Sequence, residues 1–274
     1  MPALQATTAL LAGALALAPS QTGASRFALA QVAEPGGRFI VDIGPDDFVV
    51  QEAGADREIL DVRVADYPVA IVVDNGGASG EAFEAVRAAA ARFVERIGLR
   101  PIAIVTTSDP GRLAATFDDE RPAVMEKLEA LEPAGGNAHL LGAMAAAGQT
   151  ILSSGALFSA IVVLTASAPE VTGPDADALL APIIDSRAVV HIVHNAGLGV
   201  VPPLLRGIAD QTHGGYTPIY ATASYQPALD RLAARLTTEL LIEYIVPVGS
   251  KASDVKIGVR IPGARVRGLG VAPR

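Results

Sequence analysis

Short apolar runs alternate with longer segments of helical spacing along most of this chain. Val69–Val73 is continuously apolar, as in a strand that is buried on both faces. Residues 81–97 follow with apolar side chains three and four positions apart, which is the spacing of one helix face. Similar units repeat through residues 67–241. The sequence therefore predicts an α/β fold with a doubly wound, mostly parallel sheet flanked by helices.

Further β structure is predicted on both sides of this domain. Residues 31–66 hold short alternating segments separated by Gly-Pro-Asp and Gly-Ala-Asp turns, which indicates a set of N-terminal β segments. Residues 242–274 hold two more alternating segments, 244–248 and 255–261, joined by a Gly-Ser-Lys-Ala-Ser loop. This pattern predicts a C-terminal extension in the form of a β-hairpin.

Residues 1–30 are predicted to be a signal peptide or leader. The stretch TTALLAGALALA at residues 7–18 is apolar but too short for a helix that spans a bilayer. Ala28 and Ala30 then form an A-x-A cleavage pattern before Gln31. We therefore expect a secreted or periplasmic protein. Because no Lys or Arg precedes the apolar stretch, a disordered alanine-rich leader and a misassigned start are the alternatives.

Charge and cysteine content exclude several classes of function. The formal net charge of -8, without any run of Lys or Arg, argues against binding to nucleic acid or anionic lipid. The chain has no cysteine, which excludes disulfides, thiolate catalysis and cysteine-ligated zinc. Outside the leader, no segment reaches the roughly 18 uninterrupted apolar residues of a membrane span. Protein or small-molecule partners remain.

The stretch AIVVDNGGASG, residues 70–80, ends an apolar strand on Asp74 and turns through a glycine-rich loop. Residues 106–109, 165–167 and 194–195 also follow predicted strands. In open parallel sheets, ligands bind beyond the carboxyl ends of the strands, so a site is expected where these loops meet. Gly76 and Gly77 are expected to adopt backbone angles that other residues reach only at a cost.

Several stretches resemble proteins with a von Willebrand factor type A domain, and more narrowly the VWFA-related proteins first described from acidobacteria. DDFVVQEAGADREILDVRVADYPVAIVVDN is similar to that group's entry segment and first core strand, and AGGNAHLLGAM to its Gly-Gly loop and following helix. THGGYTPIY, RLTTELLIEYIVPVGSK and VKIGVRIPGARVR resemble its carboxy-terminal helix and strands. The resemblance implies a Rossmann-like von Willebrand A fold and a non-enzymatic, adhesion-type role in protein binding.

The resemblance also implies a metal-ion-dependent adhesion site, in which a D-x-S-x-S loop, a threonine and an aspartate bind a divalent cation. Asp74 matches the first aspartate of that motif. Gly76 and Ala78 stand in place of the two serines, Ala138 in place of the threonine and Ala166 in place of the second aspartate. The implied site is therefore degenerate, with no resident metal or other cofactor.

Oxygen-bearing side chains on the same loops are the candidate ligand-binding residues: Asp74, Asn75, Ser79, Asn137 and Thr165. With water they would hold Mg²⁺ or Ca²⁺ at Asp74 only weakly, because affinity depends on the number and charge of the ligands. We expect these loops to contact a protein partner instead. The sequence specifies neither that partner nor the oligomeric state.

Two alternative functions remain open from the sequence. A serine hydrolase centred on Ser79 would use His194 as its base, although GASG does not match G-x-S-x-G. A purely structural envelope protein is the other alternative. The four histidines, His139, His191, His194 and His213, are interpreted as surface or helix-capping residues, since nothing in the sequence brings three of them together for zinc.

Overall fold

The computed structural model describes residues 23–76, 82–108, 112–167, 176–198 and 202–273. The strands are β1 (Gly23–Ala33), β2 (Phe48–Glu52), β3 (Ala55–Arg57), β4 (Ile59–Val64), β5 (Val69–Val73), β6 (Ile102–Thr106), β7 (Arg112–Ala115), β8 (Ala160–Thr165), β9 (Val189–Asn195), β10 (Gly215–Ile219), β11 (Leu240–Pro247), β12 (Val255–Val259) and β13 (Arg265–Ala272). The α-helices are α1 (Phe83–Arg96), α2 (Arg121–Glu129), α3 (Leu140–Ser154), α4 (Ala176–Asp185), α5 (Pro203–Gln211) and α6 (Tyr225–Leu236).

Six strands form the central sheet, in the order β10-β9-β8-β5-β6-β7. All its pairs are parallel except β6 with β7. Every residue of β5, β6 and β8 is buried, as expected for apolar strands covered on both faces. The prediction of an α/β fold with a doubly wound, mostly parallel sheet is confirmed.

Helices cover both faces of this sheet, and alternate residues of β5 belong to two different cores. Val69, Ile71 and Val73 pack in one core with side chains of α1, α2 and α6. Ala70 and Val72 pack in the other, with side chains of α3, α4 and α5. Successive side chains of a strand point to opposite faces, which is why one apolar run serves both cores.

The remaining strands form a β extension of two small sheets, with orders β13-β1-β11-β4 and β12-β2-β3. A third hydrophobic core joins β1, β2 and β11 and includes Ala28, Phe48 and Tyr244. The extension therefore combines strands from both ends of the chain. N- and C-terminal β extensions are thus both present, as predicted.

The predicted C-terminal hairpin is wrong. β11 pairs with β1 and β4, whereas β12 pairs with β2 in the other sheet. β13, which the sequence analysis did not predict, pairs with β1. β11 also begins at Leu240, so the proposed domain boundary at residue 241 falls inside a strand. Alternation shows that a segment is a strand but does not choose its partner, which here is remote in sequence.

The leader boundary at residue 30 is also wrong. Residues 23–30 form most of β1, which pairs with β11 on one side and β13 on the other. Ala28 and Ala30 are fully buried, so cleavage after Ala30 would remove a central strand. The apolar stretch 7–18 lies outside the described residues. Among the described helices, none is long and apolar enough to cross a membrane.

A polar cluster joins the β extension to the central domain. The Tyr67 hydroxyl donates to Glu239 Oε2 at 2.5 Å, and the Arg100 guanidinium lies 4.0 Å from the centroid of the Tyr67 ring. Arg100 Nη2 also donates to the carbonyl of Leu236 at 2.7 Å. Burial raises the pKa of Glu239, an effect that Tyr67 and Arg100 oppose. The cluster fixes the turn between α6 and β11 against the start of β5 and β6.

Candidate functional site at the carboxyl ends of the strands

Asp74 follows the last residue of β5 and is fully buried. Its backbone N–H donates to the carbonyl of Leu164 at 2.9 Å, which continues the pairing of β5 with β8. β6 flanks β5 on the other side. Asp74 therefore lies between the two loops that leave β6 and β8, at the edge where ligands bind in open α/β sheets.

Among the described residues, five hydrogen-bond donors from three loops meet the carboxylate of Asp74. They are the Gly76 N–H (3.1 Å) and Thr107 hydroxyl (3.0 Å) on Oδ1, and the Thr165 hydroxyl (2.8 Å), Ala166 N–H (3.1 Å) and Ser167 N–H (3.0 Å) on Oδ2. A carboxylate offers about four lone-pair positions, so protein donors occupy its accepting capacity. The carboxylate ties the three loops together.

The described residues do not fit the divalent cation that such a loop arrangement implies. A hard cation requires several oxygen ligands with lone pairs directed at it. Gly76, Ala138 and Ala166 carry no side-chain oxygen, and Ala166 turns its backbone N–H towards Asp74. Within the described ranges, no three His, Cys, Asp or Glu residues form a group that could hold a metal ion. The donors around Asp74 supply the positive partial charge that a cation would supply.

Gly76 is required by close packing of two loops. Its φ is not positive, so the expected special backbone angle is wrong for this residue. Gly77, for which the same angle was expected, lies outside the described residues. A Cβ atom at Gly76 would instead lie 2.8 Å from Cβ of Ala138 and 3.0 Å from its Cα and N. The loop before α3 is also held by hydrogen bonds from Ala134 N to Asn75 O (2.7 Å) and from His139 N to Thr107 O (3.0 Å).

We expect Gly76→Ala to lower the free energy of unfolding by about 1–3 kcal/mol, because the added methyl group overpacks a contact that is mostly backbone. Gly135→Ala is the matched control, since a Cβ atom there would meet nothing within 4 Å. Urea denaturation of the two variants measures the difference. Equal midpoints for both would contradict the packing argument.

Three of the predicted site residues come together. Thr165 donates to Asp74, and the backbone N–H of Asn75 lies 3.3 Å from the Thr107 hydroxyl. The Asn75 side chain, however, turns towards the carbonyl of Glu132 at 3.1 Å. Asn137 is exposed on the loop before α3. Ser79 lies outside the described residues.

The sequence analysis missed several residues of the site. Thr107 was within the polar segment after β6, but nothing in the sequence distinguished it from Thr106 or Ser108. Tyr225, at the start of α6, donates its hydroxyl to the carbonyl of Thr165 at 2.8 Å. Burial, with a smaller effect of the Asp74 charge, raises the pKa of Tyr225. The 60 residues that separate Tyr225 from Thr165 hide this contact from any local pattern.

The interpretation of all four histidines as surface or capping residues is wrong for two of them. His191 and His194 lie on opposite faces of β9 and are 6% and 3% exposed. Nδ1 of His194 lies 2.7 Å from the Tyr216 hydroxyl. Burial lowers the pKa of His194, and the charge of Asp74 partly opposes this. The base of the alternative hydrolase is thus buried and already paired.

Comparison with known proteins identifies the fold of this site. Residues 69–168 match the family model described as von Willebrand factor type A domain. The vWF domain of the type V pili tip protein Mfa5 from Porphyromonas gingivalis has a TM-score of 0.51 at 14% identity, covering 63% of this chain and 95% of that chain. A von Willebrand factor type A structure from Catenulispora acidiphila has a TM-score of 0.50 at 15% identity, covering 92% of this chain and 74% of that chain.

A third structure, proximal thread matrix protein 1 from the mussel byssus, has a TM-score of 0.51 at 11% identity. It covers 63% of this chain, which in turn spans about half (48%) of that mussel protein. No protein of curated function matches the chain in sequence. At these identities the likeness establishes the fold alone.

Proposed function

We propose that this chain, whose residues 69–168 match the family model described as von Willebrand factor type A domain, is a non-enzymatic, adhesion-type module that binds a protein partner without a divalent cation. The observation that carries the proposal is the carboxylate of Asp74, which accepts hydrogen bonds from five protein donors. Because those donors occupy the acceptor positions, the proposal gives a metal at Asp74 no part in recognition of the partner. Recognition rests on shape and ordinary hydrogen bonds.

The proposed contact surface is the loop before α3, together with the adjacent ends of β5 and β6. Residues 135–137 and His139 are exposed, and the loop is fixed from below by its bonds to Asn75 and Thr107. Asn137 offers both donors and an acceptor at the centre of this loop. A rigid base beneath an exposed polar loop limits the entropy that the loop loses on binding.

The proposal also places the protein outside the cytoplasm, in a secreted or periplasmic location. Two structures with this fold carry names of extracellular assemblies, a pilus tip protein and a byssus thread matrix protein. The apolar stretch 7–18 supplies the sequence argument for export. With the buried position of β1, a cleavage site is expected before Gly23 rather than after Ala30.

The test uses a photo-crosslinking amino acid at Asn137, with the same group at Leu99 as the control. Leu99 is 97% exposed and precedes β6, so it lies at the opposite edge of the sheet. In a secreted or periplasmic fraction, we expect a discrete crosslinked species from position 137, not from position 99. Excess unlabelled protein should compete with it, whereas EDTA should leave it unchanged.

Two results would contradict the proposal. The same crosslinked species at positions 99 and 137 would mean that the loop surface is not selective. Loss of the species in EDTA, restored by Mg²⁺ or Mn²⁺, would mean that a cation takes part in recognition. Melting temperatures with EDTA and with each cation separate the second result from a general effect on stability, because a bound cation raises stability by about 2.7 kcal/mol at a hundredfold excess over Kd.

A further inference from the structure

A cleft of about 240 Å³ opens between β9, β10 and α6. β10 is the edge strand of the central sheet, so the cleft lies at the sheet's lateral edge. Its lining includes His191, Thr217, Arg231 and Arg235, and it shares no residue with the Asp74 hydrogen-bond cluster. The cleft is therefore a separate feature from the proposed contact surface.

The charge of the cleft is positive although the chain as a whole carries a formal net charge of -8. Arg231 and Arg235 are four residues apart on α6, so both lie on the same side of the helix, and no Asp or Glu lines the cleft. Asp230 lies between them in sequence but pairs with Arg92 (3.1 Å) and Arg96 (2.9 Å) of α1. Within the described ranges, Arg231 forms no ion pair with an acidic side chain.

His191 supports one of these arginines from inside the protein. Nη2 of Arg235 lies 2.9 Å from Nδ1 and 3.1 Å from Nε2 of the His191 ring, which is 6% exposed. Burial, and to a lesser extent the charge of Arg235, lowers the pKa of His191 to about 3. The ring is therefore neutral and accepts from Arg235. This fixes one end of the guanidinium and leaves other donors available.

Glu239 is an acidic side chain close enough to Arg235 for their charges to interact. It does not line the cleft, and its carboxylate accepts the Tyr67 hydroxyl at 2.5 Å. Glu239 thus reduces the positive potential near Arg235 without occupying the cleft. The donors that face the cleft remain without an anionic partner among the described side chains.

We propose that this cleft binds a small oxyanion, a phosphate or carboxylate group, between Arg231 and Arg235. The guanidinium group presents parallel N–H donors that match the oxygen spacing of both anions. Thr217 on the facing strand also lines the cleft. The volume of the cleft, about 240 Å³, lies below the roughly 300–1,000 Å³ of ordinary small-molecule sites, which favours a small group.

The experiment is a titration of the full chain with sodium phosphate at constant ionic strength, followed by NMR of the histidine rings. We expect a saturable shift of the His191 signal, with His139 and His213 unchanged because both are exposed elsewhere. Chloride at the same ionic strength should not reproduce it. A linear response, or equal shifts of all histidines, would overturn the proposal.

Arg231→Gln and Arg235→Gln should each raise the Kd for phosphate about tenfold or more, since each removes a charged hydrogen-bond donor. Arg96→Gln is the matched control, because it removes the same charge beside α6 but outside the cleft. Arg231 is exposed, so its variant should fold even if the Arg235 variant does not. An unchanged Kd in Arg231→Gln, with the fold intact, would overturn the proposal.

Competition distinguishes the two sources of the oxyanion. Displacement of phosphate by a short peptide with one aspartate, at a lower concentration than acetate requires, would identify the carboxylate of a partner chain. Equal potency of that peptide and acetate, with tighter phosphate binding, would identify a free ion. Both outcomes support an oxyanion site. If phosphate, acetate and the peptide bind without displacing one another, they do not share this cleft, and the proposal is overturned.

Discussion

Glu52→Ala is expected to lower the free energy of unfolding by about 3–5 kcal/mol, because it leaves the charge of Arg26 buried without its partner. Nη1 of Arg26 pairs with Oε1 of Glu52, and the two side chains are 4% and 2% exposed. The pair connects β1 in one sheet of the extension with β2 in the other. Chemical denaturation of the variant and the parent measures the loss.

The control is Asp61→Ala in the same extension. Asp61 pairs with Arg63 at 2.8 Å, but both side chains are about half exposed (48% and 45%), so its removal should change stability by less than about 1 kcal/mol. The double variant Arg26→Met with Glu52→Leu should recover most of the loss, since it removes both buried charges. Equal effects of Glu52→Ala and Asp61→Ala would contradict the importance of burial.

Asp74→Ala is expected to destabilise the protein by at least about 3 kcal/mol. Five donors lose their acceptor, and each buried unsatisfied group costs about 1–3 kcal/mol. Thr107→Val removes one of these donors and should cost about 1 kcal/mol, which provides a milder variant if Asp74→Ala does not fold. Denaturation with EDTA and with Mg²⁺ should give the same loss.

Asp66→Ala is the control for this comparison. Asp66 is an exposed aspartate shortly before β5, so its removal should have an effect near zero. A cation site at Asp74 predicts a different pattern from ours. Mg²⁺ would then stabilise the parent but not Asp74→Ala, and the variant would lose little in EDTA. That pattern would refute the assignment of Asp74 as a hydrogen-bonded link between loops.

The candidate site was predictable in part. The apolar strand before Asp74 and the polar residues after β8 indicated an edge of the sheet where loops meet. At that edge the Thr165 hydroxyl lies 2.8 Å from Oδ2 of Asp74. The missing hydroxyls at Gly76 and Ala138 were visible in the sequence as well. The five donors of Asp74 were not predictable, because three are backbone N–H groups whose direction depends on the path of each loop.

The β extension was also predictable only in part. Its strands were recognised in outline by alternation, yet the assignment of residues 23–30 to a leader and of the C-terminal strands to a hairpin failed. The alanines of β1 that resemble a cleavage site, Ala28 and Ala30, belong to the same buried core as Phe48. Composition alone does not separate a leader from a buried strand, since small apolar residues suit both.

By itself, the sequence determined the α/β class, the order of strands and helices in the central domain, and the absence of a side-chain oxygen at Gly76, Ala138 and Ala166. Those properties depend on local periodicity and residue identity, which a linear sequence carries directly. Tertiary structure alone decided which strands pair in the extension, how Asp74 is satisfied, and that Arg231, Arg235 and His191 line one cleft. These depend on contacts between residues far apart in the chain, and periodicity fixes the face of an element without choosing its neighbour.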